Sequence, residues 1–366
     1  MRVSPIRELL AARGAVFSER AGVEIPLRFS GADKEYSAVR DAAGLCDFSF
    51  MTRYRVPEDG LDVLEQYACG SVANIRFGRV LHTMAVNDDG MLESDVYIAN
   101  DDENMIMLCE SLVDDAAAAA VLDGMGASKE GLEDLSGSTA VFGLDGLNAW
   151  AIARDLFGTD VLGLPYLSIE NYELDGVEIK LIRGGKTSEF GYLFIVPVKH
   201  ATAIWERIEK AGEPHGLVLV GTEAHSMLRL DGRFFNIYEE GARVSDPLPL
   251  GLQWMIDFDG DDFRGKAAIL ERRASGLKNK IIGLTPSDPG GVLEIGDEIA
   301  HRGETVAKVV AAVYSPTLKK RIGLALFELP YAYSGLTLEG NDGLLIETIS
   351  MPPFMPKSLG VKLDEM

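Results

Sequence analysis

Several acidic side chains lie in one predicted turn and in the strand-like run that follows it. Residues 87–100, NDDGMLESDVYIAN, combine a DDG turn signal with a run that alternates like a strand. If Val96 and Ile98 face the core, the two-residue period of a strand places Asp95 and Tyr97 together on the opposite face. One carboxylate there could face a cleft and act on a proton. A solvated turn in an acidic protein explains the same pattern.

A second candidate segment is rich in glycine. Residues 183–197, RGGKTSEFGYLFIVP, place Glu189 among Gly184, Gly185 and Gly191, which allow close approach of the backbone. The glycines lack the GxxxxGK[ST] spacing of a phosphate loop, and no GxGxxG motif opens a helix after a strand. The segment therefore gives no support for nucleotide binding, and a glycine-rich hairpin also explains it.

Residues 247–270 form a third candidate segment. They place Trp254 after a proline-restricted loop and before a helix that Asp261 or Asp262 is expected to cap. A buried structural tryptophan is the ordinary interpretation. The histidines have no HxxxH or HxH spacing and the cysteines no CxxC spacing, so we expect no metal site.

These segments lie among alternating helix-like and strand-like stretches, which indicate a mixed α and β protein. Helices are predicted over residues 112–123 and 198–211, and a strand pair over 177–181 and 192–196. From about residue 278, short β-branched segments separated by turn signals predict a small, mostly antiparallel barrel. We therefore expect a domain boundary there.

Charge and cysteine content narrow the class of protein. The 366 residues carry 57 acidic and 35 basic side chains, a formal net charge of −22. Such a field repels phosphate backbones and anionic lipid surfaces, so neither nucleic acid nor a membrane is an expected partner. The three cysteines are widely spaced, and no secretory signal or membrane-spanning stretch is evident. A cytoplasmic location is expected.

Taken in order, six stretches of the chain resemble the aminomethyltransferase family, which includes the glycine-cleavage T-protein and related folate-dependent demethylases. They are YSAVRDAAGLCDFSFMT at 36–52, GMLESDV at 90–96, RGGKTSEFGYLF at 183–194, GTEAHSMLRLDGRFF at 221–235, LPLGLQWMIDFDGDDFRGKAAI at 248–269 and VVAAVYSPTLKKRIGLALF at 309–327. The resemblance implies an α+β fold with a three-lobed, cloverleaf-like arrangement around a central hole that holds tetrahydrofolate. Two lobes would be interleaved over residues 1–277, and the barrel would occupy 278–366.

The resemblance also implies roles for single residues. Asp95 matches the second acid of the family's GG-x-x-DD and is the candidate catalytic acid, while Ser94 stands where the family has the first acid. Glu189 matches the glutamate of R-x-G-Y-T-G-E-x-G, and one carboxylate can accept both hydrogen bonds from a pterin edge. A larger set is expected to line the folate site: Trp254, Arg229, Met51 and Tyr97.

Other positions depart from the family's pattern. Lys186 stands for a tyrosine, Ser188 for a glycine, and either Cys109 or Glu110 for an asparagine, depending on a one-residue shift in alignment. With His225, these changes cluster where the one-carbon donor would approach. The sequence therefore predicts that folate binding is kept more faithfully than recognition of the donor.

The function that the resemblance implies is tetrahydrofolate-dependent one-carbon transfer. The leading interpretation is an aminomethyltransferase that takes its one-carbon unit from a lipoyl carrier protein. The first alternative is a demethylase that acts on a small O-, S- or N-methyl compound. The second is a folate-binding protein without catalytic activity, in which Ser94 marks the loss of chemistry.

Overall fold

The computed structural model describes residues 2–20, 22–57, 60–101, 104–111 and 132–362. The helix predicted over residues 112–123 lies outside these ranges. Within them, none of the helices combines the length and the apolar character needed to cross a bilayer.

The first half of the chain is mainly β-structure. Its strands are β1 (Val16–Arg20), β2 (Val23–Arg28), β3 (Ala43–Asp47), β4 (Thr52–Pro57), β5 (Val80–Val86), β6 (Leu92–Asp101), β7 (Asn104–Ser111), β8 (Glu133–Asp134) and β9 (Thr139–Asp145). Its α-helices are α1 (Arg7–Ala12), α2 (Ala32–Asp41) and α3 (Leu61–Tyr67).

The middle of the chain alternates strands with helices, and the end is again mainly β-structure. The strands are β10 (Ser168–Leu174), β11 (Val177–Arg183), β12 (Gly191–Pro197), β13 (Leu217–Leu219), β14 (Asn279–Pro286), β15 (Glu298–His301), β16 (Glu304–Ser315), β17 (Lys320–Glu328), β18 (Thr337–Glu339) and β19 (Leu345–Ile349). The helices are α4 (Ala149–Phe157), α5 (Ala201–Gly212), α6 (Thr222–Asp231), α7 (Glu240–Arg243) and α8 (Lys266–Ala274).

The strands form three larger units. One sheet has the order β5-β6-β7-β4-β8, and a second has the order β10-β11-β12-β9-β3-β13. The second sheet therefore combines β3, which precedes the strands of the first sheet in the sequence, with β9 to β13, which follow them. Strands β14-β17-β16-β15-β18-β19 close into a barrel, which confirms the predicted C-terminal β-barrel.

Helix α5 shows why the predicted elements form. Ala201, Ile204, Trp205 and Ile208 recur at helical spacing and are all buried, while the residues between them are exposed or half-buried. The Trp205 ring packs edge-on against Phe142 of β9, with ring centroids 5.0 Å apart. The predicted helix over 198–211 and the strand pair β11–β12 are both confirmed.

The helix after Trp254 begins later than the sequence suggests. Helix α8 starts at Lys266 after Gly265, whose φ is +80°, and no side chain caps its first turn. The prediction that Asp261 or Asp262 caps this helix is therefore wrong. Instead, the Lys266 ammonium donates to the carbonyl oxygens of Gly260 and Asp261 at 2.7 and 3.0 Å.

Strand β6 places the acidic candidates as its period predicts. Val96 and Ile98 are buried in an apolar cluster with Val56 and Met107 on one face of the sheet. Asp95 on β6 is in register with Met84 on β5 and with Glu110 on β7, the strands that flank β6 on its two sides. The Asp95 side chain is consequently carried by an interior strand of the sheet, where backbone movement is restricted.

Candidate active site

A cleft of about 670 Å³ lies where the first sheet meets the barrel and the segment between α6 and α8. Its volume falls in the range typical of small-molecule sites. Among the described residues that line it, none carries a carboxylate, although the chain has 57 acidic side chains. The lining combines aliphatic side chains with aromatic and cationic ones. The aromatic and cationic residues include His82, Tyr166, Arg233, Trp254, Lys280 and Tyr333.

His82 on β5 connects this cleft with the interior. Its ring lines the cleft and packs edge-on against Trp254 and Tyr97, at centroid distances of 5.4 and 4.6 Å. Its Nε2 lies 2.6 Å from Asp95 Oδ1. Asp95 is therefore one hydrogen bond away from the cleft, behind an imidazole.

Asp95 belongs to a buried network of charged groups. Lys186 Nζ donates to Asp95 Oδ2 at 2.5 Å and to Glu110 Oε1 at 3.0 Å. Arg229 of α6 donates to Glu110 Oε2 at 2.8 Å and to Asp95 Oδ2 at 3.4 Å. Two carboxylates thus face two cations and their formal charges cancel, which is the condition under which burial of such groups is tolerated.

This network shifts the pKa values of the carboxyl and imidazole groups in it. Burial by itself would raise the pKa of the Asp95 carboxyl, but Lys186, His82 and Arg229 outweigh burial and bring that pKa well below its usual value. Glu110 behaves in the same way, with burial opposed by Arg229 and Lys186, and its pKa is lowered. Burial lowers the pKa of His82 although Asp95 opposes the shift. The ionised Asp95 can only accept, so the neutral His82 donates its Nε2–H to it.

The register of β6 and β7 decides between the two candidates at the donor side. Asp95 pairs with Glu110, and Cys109 pairs with Val96. Cys109 consequently packs in the apolar cluster on the other face, where burial raises the pKa of its thiol to about 12. Glu110, and not Cys109, is the residue that joins the site.

A small inner cavity lies beyond the charged network. It encloses about 20 Å³, which is room for about one water molecule. Aromatic and apolar groups form much of its wall, and charged groups complete it. The lining residues are Phe48, Met51, Tyr97, Glu110, Asp145, Gly185, Lys186, Leu193 and His225.

Asp145, at the end of β9, is a second buried carboxyl on this inner cavity. Burial raises its pKa to about 7, and the hydrogen bond that Thr187 Oγ1 donates at 3.2 Å opposes the shift only in part. The glycines of the 183–197 segment make room for it. A Cβ at Gly185 or Gly191 would lie 2.4 or 2.7 Å from Asp145 Oδ1, so a side chain at either position would collide with this carboxyl.

The Glu189 side chain is also buried, but its partners are not those of Asp95. Its side chain is 0% exposed, Oε1 accepts from Arg40 Nη1 at 3.1 Å, and Oε2 accepts from the Ser358 amide at 3.0 Å. Phe354, in the segment that follows the barrel, packs against the same Arg40 guanidinium, with its ring centroid 4.3 Å from Arg40 Cζ. Glu189 thus ties the C-terminal segment to α2, and it is outside the lining of both the cleft and the inner cavity.

The other predicted site residues divide between the two cavities. Trp254 is 65% exposed and lines the cleft, so its interpretation as a buried structural residue is wrong. Met51 and Tyr97 are buried and line the inner cavity. Arg229 is buried in the charged network, which excludes the alternative of a surface ion pair.

Two residues of this site, His82 and Asp145, are not among the candidates that the sequence offers, because one is a lone histidine and the other a strand terminus. Glu110 is offered only as one of two alignment choices with Cys109. Lys186 departs from the family's pattern, but the sequence does not indicate its partners. Asp95 is 91 residues away in sequence, and no local spacing encodes that contact.

Comparisons with known proteins agree along most of the chain. Residues 6–260 match the family model of the GCVT N-terminal domain, and residues 279–353 match that of the glycine cleavage T-protein C-terminal barrel domain. The aminomethyltransferase of Thermoanaerobacter sp. (strain X514) is 28% identical over 342 residues, 93% of each chain. That of Bacillus subtilis (strain 168) is 30% identical over 331 residues, 90% of this chain and 91% of its own.

A solved structure supports the same assignment at the level of fold. The crystal structure of glycine cleavage system aminomethyltransferase T from Bartonella henselae matches with a TM-score of 0.83 at 20% identity, covering 97% of this chain and 98% of its own. Together with the closed barrel, this match confirms the predicted α+β fold class.

Proposed function

We propose a function for this chain, which belongs to the glycine cleavage T-protein family. It is an enzyme that transfers a one-carbon unit to tetrahydrofolate. The similar proteins of Thermoanaerobacter and Bacillus subtilis are aminomethyltransferases, and this similarity favours aminomethyl transfer as the reaction. The donor would then be an aminomethyl group on a lipoyl carrier protein, with ammonia released.

The observation that carries this proposal is the composition of the cleft. In a chain of net charge −22, the cleft lining has aromatic faces and the cations Arg233 and Lys280, and no carboxylate among the described lining residues. A reduced folate is a flat heteroaromatic molecule with an anionic glutamate tail. Aromatic faces and a local positive potential are the complement of such a ligand.

Roles within the cleft follow from position. Trp254 would stack on the folate rings, and Lys280 on β14 would meet the carboxylates of the tail. Asp95 would stabilise the positive charge that develops during transfer, and Lys186, His82 and Arg229 would keep Asp95 ionised. Met51 and Tyr97 would form the wall on the side of the inner cavity.

Glu189 would grip the pterin edge only after a rearrangement. Its two oxygens already accept from Arg40 and from the Ser358 amide. Binding of a pterin by Glu189 would have to displace the amide of the C-terminal segment. We therefore expect Glu189→Gln to weaken folate binding and also to expose the 354–362 segment to proteolysis.

One observation favours a second function, demethylation of a small methylated compound. The donor side around Glu110 and His225 is enclosed, and Phe48 packs edge-on against His225 at 4.9 Å and against Phe50 at 5.9 Å. An aromatic box with a nearby carboxylate suits a methyl group on a cationic centre. The present cavity of about 20 Å³ has room for about one water molecule, so its walls would have to open for either donor, and further for a lipoyl arm than for a small methylated compound.

Calorimetric titration with two ligands tests the folate site. Tetrahydrofolate carries the glutamate tail, and tetrahydropterin does not. Trp254→Ala should weaken both ligands about tenfold, from the loss of stacking. Lys280→Ala should weaken tetrahydrofolate alone, several-fold and more at low salt, because only the tail is charged.

Lys308→Ala is the matched control, since Lys308 is also exposed on a barrel strand but lies outside the cleft. Failure of the native protein to bind tetrahydrofolate would refute the proposal. Turnover is then followed as methylene- or methyl-folate by mass, with aminomethylated lipoyl carrier and with small methylated amines, ethers and thioethers. Binding without turnover of any donor would favour the non-catalytic alternative.

A further inference from the structure

We propose that His82 is a catalytic residue of this site, whose Nδ1 takes the proton that a folate nitrogen loses when it bonds to the transferred carbon. This inference rests on the proposed function and extends it to a residue of the chain. Asp95 becomes a positioning residue in this scheme, because it acts through the imidazole.

The first support is the hydrogen-bond pattern of the imidazole. Nε2 is committed to Asp95 at 2.6 Å, and Asp95 is held from its other side by Lys186 and Arg229. Nδ1 has no hydrogen-bond partner among the residues that the structure describes. A neutral imidazole with Nε2–H bound to a carboxylate presents its lone pair at Nδ1, as a general base requires.

The second support is location. Among the members of the buried charged network, His82 is the one that lines the large cleft. Asp95 is 1% exposed, and each of its oxygens already accepts from a partner. A ligand in the cleft would therefore meet the imidazole before it met the carboxylate.

The surroundings of the imidazole keep it neutral and ready to accept a proton. Tyr97, Asp95, Glu110 and Lys186 are the titratable groups that act on it, and Trp254 packs against it without titrating. Burial lowers the pKa of His82 below its ordinary value, while Asp95 favours the imidazolium once it forms. The pair can therefore accept a proton at neutral pH and stabilise the resulting cation.

The proton balance of the step is complete. His82 Nδ1 accepts the N–H proton as the nitrogen lone pair forms the new C–N bond, and the donor's C–X bond breaks with its electron pair on X. His82 then returns that proton to X, which leaves as HX and restores the neutral imidazole. A methyl donor needs one such exchange, and an aminomethyl donor needs two, which release the thiol and ammonia.

The decisive variant is His82→Gln, compared with His215→Gln. A glutamine amide can still donate to Asp95, but it has no basic nitrogen. His215 also pairs with an aspartate, with Nε2 2.7 Å from Asp155 Oδ2, but on the surface and outside the cleft. We expect kcat to fall about 10²–10⁴-fold in the first variant. Tetrahydrofolate affinity should stay within about threefold, and the control should be unchanged.

Three further readouts separate a base from a structural histidine. Native kcat/KM should decline at acid pH along one titration with a pKa below about 6.5, and His82→Gln should lack this decline. In NMR spectra of the protein without donor, the Nδ1 signal of His82 should shift when tetrahydrofolate is added. Imidazole added to His82→Ala should restore part of the lost rate.

The outcomes distinguish the two proposals. An inactive native protein that does not bind tetrahydrofolate refutes the proposed function and this inference together. An active native protein whose His82→Gln variant is equally active refutes only the inference. Equal losses of affinity and of turnover, with no rescue by imidazole, would show that His82 only supports the structure.

Discussion

Asp95 and Asp145 are two buried aspartates of the candidate active site, and their pKa values are shifted in opposite directions. Lys186, Arg229 and His82 surround the first, and its pKa lies well below the usual value. Burial dominates around the second, whose hydrogen bond to Thr187 leaves its pKa at about 7. Adjacent residues of one loop, Lys186 and Thr187, provide these different partners.

The difference shows that burial alone does not decide the charge of a carboxyl group. A full cation within hydrogen-bond distance outweighs the desolvation of Asp95, whereas a hydroxyl dipole does not outweigh that of Asp145. One site thus holds a carboxylate that is ionised at neutral pH and a carboxyl that changes charge near neutral pH. Four substitutions test how far this contrast depends on the loop.

Lys186→Met should have the largest effect, because it leaves Asp95 and Glu110 as neighbours with Arg229 as their main cation. We expect a loss of about 3–5 kcal/mol in the free energy of unfolding at pH 8. The loss should shrink toward pH 4, because the two carboxyls can then take up protons. Urea unfolding at both pH values measures it, and Glu110→Gln in the same chain should recover part of the stability. A loss independent of pH would contradict the assignment.

Asp145→Asn should stabilise the protein at pH 8 and leave it nearly unchanged at pH 4. The folded-state pKa of about 7 lies above the unfolded value of 3.8, so the native protein loses stability as pH rises through that interval. The variant lacks this loss, and its advantage at pH 8 should be on the order of 1–4 kcal/mol. Thermal unfolding from pH 4 to pH 8 provides the test, and parallel curves would refute the raised pKa.

Thr187→Val should have a smaller effect, in the destabilising direction. It removes the hydroxyl that donates to Asp145 and keeps the shape of the side chain. We expect a loss of about 1.5–3 kcal/mol at pH 8, where the acceptor is charged, and a smaller loss at pH 4. Combination with Asp145→Asn is the control, since the charged acceptor is then absent and the extra loss at pH 8 should vanish.

Ser188→Gly should have the smallest effect and the opposite sign. Ser188 has a φ of +68°, a region that glycine adopts without steric cost. The substitution should add up to about 1 kcal/mol of stability with no dependence on pH, and it should leave the pKa of Asp145 unchanged. Chemical unfolding of the variant at two pH values checks both expectations.

Local pattern was sufficient for several parts of the site. The alternation of β6 predicted that Asp95 and Tyr97 would lie away from Val96 and Ile98. The glycines of the 183–197 segment predicted a close approach, although the neighbour is the Asp145 carboxyl. Family resemblance selected Asp95, Trp254 and Met51, which lie in or directly behind the cavities.

The rest of the site depends on contacts that local pattern does not encode. His82, Glu110 and Lys186 meet at Asp95 only because β5, β6 and β7 pair in one register and a distant loop closes over them. A shift of one residue in β7 would have placed Cys109 there.

The sequence by itself determined which segments form strands, helices and the barrel, because periodicity and turn residues act over a few positions. Only the tertiary structure decided which carboxyl stays charged and which imidazole faces the cleft. Electrostatic energy depends on distances of a few ångströms between residues far apart in the chain.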